Sequence, residues 1–105
     1  MNTNTTTEKE NTMEIQHTLT TRLTNGKAAT VAIIRPGQPY GRSATNDSDR
    51  TLVEFRLGWA WFQYHADTIL QREHRALVLD CGQAEHTTVN AHEMQAVQDW
   101  LVKLL

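Results

Sequence analysis

Cysteine is almost missing from this chain: Cys81 stands alone. A single thiol excludes an internal disulfide framework and fits a reducing compartment. No run approaches the ~18 consecutive apolar residues that a membrane-crossing helix needs. The opening residues, MNTNTTTEKENT, lack the apolar stretch of a secretory signal. Nucleotide-loop patterns of the GxGxxG or GxxxxGK[ST] type do not occur, nor does a GxSxG nucleophile motif or a paired-carboxylate pattern. Pro36-Gly37-Gln38-Pro39-Tyr40-Gly41 contains glycines, but not as a phosphate loop between strand and helix. These absences exclude the common nucleotide-dependent and secreted-scaffold classes. They leave a cytoplasmic protein with no implied cofactor and no membrane partner. No enzyme class is indicated.

Charge of one sign is not in excess either. The net charge is −2 and the sequence pI is near 6.2. The distribution is uneven: residues 17–56 carry +3 and residues 57–105 carry −3. That asymmetry favours steering of a partner or head-to-tail self-association. A mixed, solvated surface accounts for it more simply.

What is present reads as strands first. Residues 1–12 are rich in Asn, Thr and Glu and are expected to form a disordered polar tail. Residues 13–105 are expected to form one domain of α+β class. From Glu14 the chain alternates, with Ile15, His17, Leu19, Thr21 and Leu23 on one face. Asn25-Gly26 then signals a tight hairpin. A two-residue turn would pair Leu19 with Ala32 and Thr21 with Thr30, leaving Val31 and Ile33 opposite threonines. Either this second strand is covered on both faces or the register slips by one. Pro36 to Arg50 has no periodicity and reads as a long irregular loop. Thr51 to Leu57 returns to strand.

Between Trp59 and Arg72 two periods compete. Trp59, Phe62, Ala66, Ile69 and Leu70 form a helical stripe. Trp59 and Trp61 also continue the strand alternation. The helix accounts better for QYHADTILQREH and is the expectation. ALVLDC, from Ala76 to Cys81, reads as a strand buried on both faces. Thr87 to Val89 can add a short extended piece. Asn90 caps a final helix, with Glu93 three residues on and Met94, Val97, Leu101 and Leu104 as its buried stripe. The expected order is therefore β-β-β-α-β-α. It forms a four-stranded, mainly antiparallel sheet with two helices packed on one face. A right-handed crossover from Thr51 to Cys81 follows if its strands are parallel.

Three sets of residues are candidates for function. Tyr40, Arg42, Arg50, Trp59 and Trp61 are material for a protein interface, because Trp, Tyr and Arg dominate interface energetics. On a helix Trp59 and Trp61 lie ~200° apart, so one of them meets solvent. Arg22, Lys27, Arg35 and Arg42 are the basic residues for phosphate contacts, with Tyr40 placed to stack. A pI near 6.2 argues against a dedicated nucleic-acid domain. Cys81, His86 and His92 are the metal or catalytic candidates. They lack CxxC or HExxH spacing, and a buried inert thiol with solvated histidines explains them more simply. The function expected is a non-catalytic interaction protein that binds another protein or itself through its aromatic and Arg-bearing surface. The alternative is nucleic-acid binding.

Overall fold

The computed structural model describes residues 17–40, 44–58, 60–73, 75–80 and 86–105. The expected tail over 1–12, and the strand start at Glu14, lie outside those residues. The described elements run β1 (Thr18–Arg22), β2 (Ala28–Ile34), β3 (Pro39–Tyr40), β4 (Ala44–Thr45), β5 (Leu52–Leu57) and β6 (Ala60–His65). They continue through α1 (Ala66–Leu70), β7 (Leu77–Asp80), β8 (His86–Val89) and α2 (Ala91–Leu104). The fold is α+β. Its main sheet has four antiparallel strands in the order β1-β2-β5-β6.

The first hairpin forms where Asn25-Gly26 predicts it, with the register slipped by one. Leu19 pairs with Val31 and Thr21 with Ala29. Gly26 is the reason. It adopts φ +87° and closes a three-residue loop, in which the Leu23 amide donates to the Lys27 carbonyl at 2.8 Å and the Gly26 amide to the Leu23 carbonyl at 3.0 Å. An αL residue after the turn adds one residue to the loop. The slip sets Val31 opposite Leu19 and puts apolar residues of both strands on one face.

That face holds the core. Ala29, Val31, Ile33, Val53 and Phe55 pack against Ala66 and Ile69 of α1 and Met94, Val97 and Leu101 of α2. Leu77, Leu79 and Val89 of the β7–β8 hairpin join the same cluster. Fully burying a side chain such as Phe55 stabilises by roughly 1.5–3 kcal/mol. The Gln98 side-chain amide donates to the Ile69 carbonyl at 2.9 Å and ties α2 to α1. Asn90 caps α2 as expected, accepting from the Glu93 amide at 2.9 Å. The Glu93 carboxylate accepts from the Thr21 hydroxyl at 3.4 Å, tying α2 to the sheet.

Three sequence expectations are corrected. The fourth sheet strand is β6, not the Ala76–Cys81 run. Leu57 is paired with Ala60, so only two residues reverse the chain, and Gly58 supplies the positive φ (+59°) this needs. Helix is therefore confined to Ala66–Leu70. Ala60, Phe62 and Tyr64 join the core face, while Trp61, Gln63 and His65 take the other, and period 2 wins over 3.6. Second, β7 leaves the main sheet and pairs antiparallel with β8. It buries Leu77 and Leu79 but leaves Val78 55% exposed, so only one face is covered. Because β5 turns directly into antiparallel β6, no parallel crossover spans Thr51 to Cys81. Third, the Pro36–Arg50 stretch is not wholly irregular. Pro36-Gly37 forms a turn with Gly37 at φ +83° and the Gln38 amide on the Arg35 carbonyl at 3.0 Å. The short β3–β4 ladder follows.

Asn46 holds this loop to the sheet. It is 3% exposed. Its amide nitrogen donates to the Ile34 carbonyl (3.1 Å) and the Arg50 carbonyl (2.8 Å). Its side-chain oxygen accepts from the Ser48 amide and hydroxyl (3.1 and 2.7 Å). Removing these contacts takes a buried donor from the Ile34 carbonyl and unties the loop from the sheet. Asn46→Ala is expected to destabilise the protein by about 2 kcal/mol. In chemical denaturation this appears as a lower midpoint with an unchanged slope.

Candidate functional site

The main sheet has a second face, turned away from the helices. Its rows follow from the pairing: Thr20, Thr30, Arg56 and Trp61 in one, and Thr18, Ala32, Glu54 and Gln63 in the next. Arg22 lies beyond the first row, opposite Ala28. Trp61 is 48% exposed there. Glu54, in contrast, is fully buried. The Arg56 Nε donates to its carboxylate at 2.9 Å and the Gln63 side-chain amide at 3.2 Å. A buried carboxylate needs such partners, because desolvation of an unpaired ion costs several kcal/mol. Glu54 thus fixes Arg56, the cross-strand partner of Trp61, and Gln63, two residues further along β6. The pattern Glu54-x-Arg56 on one strand, with Trp61-x-Gln63 on the next, is the period-2 signal that marks these residues as one surface.

The sequence candidates are not gathered into a single site. Trp61 stands on the outer face. Tyr40 is half-buried at the end of β3, opposite Ala44. Arg50 is exposed, and its Nη2 donates to both carboxylate oxygens of Asp67, at 2.9 and 2.7 Å. The Arg35 Nη2 donates to the Leu104 carbonyl near the end of α2, at 2.7 Å. Arg42, Trp59 and Cys81 lie outside the described residues.

Arg22 and Lys27 are exposed at the hairpin end and line a cleft of ≈ 250 Å³ with Glu93. Arg35 and Arg50 line another, of ≈ 480 Å³, with Thr51, Ala66, Leu70 and Leu104. The length of β2, roughly 20 Å of strand, separates the two pairs, so the described basic candidates Arg22, Lys27, Arg35 and Arg50 do not form one patch. His86 opens β8, and His92 is exposed on α2. Among the described residues no group of three or more His, Cys, Asp or Glu is placed to hold a metal. No described helix is long and apolar enough to cross a membrane.

Among the described residues, two groups titrate away from their ordinary values. The hydrogen bond from Arg50 holds the Asp67 carboxyl below its usual value near 3.8. Burial raises the Tyr64 phenol, and the nearby Arg72 charge opposes that in part. Tyr64 faces the core, edge-on to Phe55 with ring centroids 5.8 Å apart.

No protein-family model matches the chain, and neither a curated protein nor a solved structure matches it. Function is therefore argued from the site alone.

Two outcomes test this description. Arg56→Ala leaves the buried Glu54 carboxylate short of its cation and is expected to cost about 3 kcal/mol. Adding Glu54→Gln should recover part of that loss, measured as paired shifts in melting temperature. Asp67 contributes stability above its unfolded value and loses it as pH falls through the lowered folded value. Asp67→Asn should accordingly be less stable than the parent at neutral pH and equal to it well below pH 3.8. Roughly 1 M salt should shrink the gap, since the pair is exposed.

Proposed function

We propose that this chain is a small non-catalytic binding protein, working in the cytoplasm, whose contact surface centres on Trp61. The exposed indole beside Arg56 on the helix-free face of the sheet carries this reading. A half-exposed Trp loses apolar area to water that a partner would recover, and Trp and Arg recur at the energetic centre of interfaces. The Glu54–Arg56–Gln63 network supports it by holding polar groups in place around the ring, which lowers the ordering cost of association. Tyr40 belongs to the same proposal as a peripheral contact.

The alternative reading, nucleic-acid binding, draws on Arg22, Lys27, Arg35 and Arg42 as cations for phosphate, with an exposed aromatic ring on which a base stacks. Against it, Arg35 is committed to the Leu104 carbonyl and Arg56 to Glu54.

Capture of a protein partner by the immobilised chain should drop at least about tenfold for Trp61→Ala, and less for Tyr40→Ala, with circular dichroism unchanged. Equal capture by parent and Trp61→Ala rejects the surface. Anisotropy titration with a fluorescent single-stranded oligonucleotide decides the alternative: binding at low salt that falls steeply with added salt supports it. No binding at low salt removes it.

A further inference from the structure

The main sheet ends in two edges that are treated differently. At β1, the Thr24 amide just beyond the strand donates to the Thr88 carbonyl at 2.9 Å. The Thr88 amide donates back to the Thr24 hydroxyl at 3.1 Å. Thr21 reaches Glu93 of α2, and the strand ends on Arg22. At β6, no strand of the described residues pairs with the outer edge. Its sequence, Ala60–His65, AWFQYH, contains no Lys, Arg, Asp, Glu, Pro or Gly. Its pairing with β5 runs unbroken from Leu52↔His65 to Leu57↔Ala60, with no bulge. Open edges are ordinarily blunted by charge, proline or a bulge. This edge has none of them and is rich in aromatic residues that favour strand pairing.

We propose that a second copy of this chain docks on β6 through antiparallel pairing with its own β6, which extends the main sheet to eight strands. The ladder sets the register. Leu57 and Ala60 flank a two-residue reversal, so they form a hydrogen-bonded pair. By alternation Phe62 and Tyr64 bond to β5, and Trp61, Gln63 and His65 turn their amides and carbonyls outward. A two-fold axis through Gln63 then pairs Gln63 with Gln63 and Trp61 with His65 of the second copy. Phe62 falls opposite Tyr64. Residues of one face stay on that face, as the period-2 rule requires. An aromatic ring meets another on both faces, and no charge meets its like across the axis. Pairing by a two-fold closes the assembly at a dimer, whereas β6 on β1 would continue into a filament. The inference rests on the proposed interaction role and names its partner.

One six-residue strand pair is a small interface, so the dimer should be a micromolar one. Sedimentation velocity of the full chain over about 1–300 µM should show the mass rising from 12.0 kDa toward twice that value. Gln63→Pro removes an outward amide and the side-chain bond to Glu54, leaves the backbone ladder to β5 in place, and should give monomer throughout. Gln63→Cys in a Cys81→Ser background should cross-link to a covalent dimer on mild oxidation, because hydrogen-bonded partners sit about 5.5 Å apart at Cα. The cross-link keeps the test decisive if the proline variant fails to fold.

Monomer at every concentration, or a dimer indifferent to Gln63→Pro with no cross-link at residue 63, overturns the proposal. In the first case, a Trp61-dependent capture of a different protein would still uphold the interaction role, and its absence would remove both.

Discussion

The reversal between Leu57 and Ala60 is the constraint on which the rest of the sheet depends. With two residues between strands, β6 has to lie antiparallel against β5, and the face of every side chain from Ala60 to His65 follows by alternation. Gly58 makes the reversal inexpensive because its φ of +59° carries no Cβ penalty. Phe62 and Tyr64 then complete the core face, and Tyr64 meets Phe55 edge-on. The same alternation leaves Trp61 on the opposite face, half in solvent. A helix through these residues would have used Trp61 differently and left β5 as an open edge.

The outer face is more than uncovered sheet. Ala32 and Ile34 are fully buried yet stand apart from the core cluster, and Glu54 is buried beside them. β2 is thus apolar on both faces because both are covered along part of its length. Asn46 contributes at the Ile34 end by holding the chain around Gln38 and Arg50 against the strand. Toward the hairpin end the face opens, and Arg56, Trp61 and the threonines meet solvent. Burial at one end and exposure at the other put the exposed indole of this face at the hairpin end.

Much of this was legible in the sequence where one signal dominated. Asn25-Gly26 located the hairpin, and the Asn90 cap with a 3.6-residue stripe located α2. Legibility failed where two signals overlapped. Phe62, Ala66 and Ile69 satisfy a helical stripe, yet Ala60, Phe62 and Tyr64 satisfy a strand, and local spacing does not say which partner is available. β5 decided it by offering an edge. ALVLDC looked doubly buried because Val78 is apolar, although an isolated hairpin has only one face to bury. The one-residue slip at Gly26 was open for a similar reason, since Asn-Gly suits both a two-residue and a three-residue loop. Of the site, Trp61 stood among the sequence candidates, but through a helical argument that the strand over Ala60–His65 replaces. The ring of Glu54, Arg56 and Gln63 was not legible, because it depends on the register between β5 and β6.

The arginines show why an aromatic has to carry the surface. Arg35 is spent on a helix-end carbonyl, Arg50 on Asp67 and Arg56 on Glu54. Cations paired with carboxylates, as Arg50 and Arg56 are, contribute little field at a distance, and the small net charge adds little. Recognition by such a surface relies on shape, on apolar area removed from water and on the backbone groups of an open strand. The first two are supplied by Trp61 and the third by the edge on which it sits. The indole and the open edge are consequences of one local event, the turn at Gly58, so a substitution that altered that turn would remove both together.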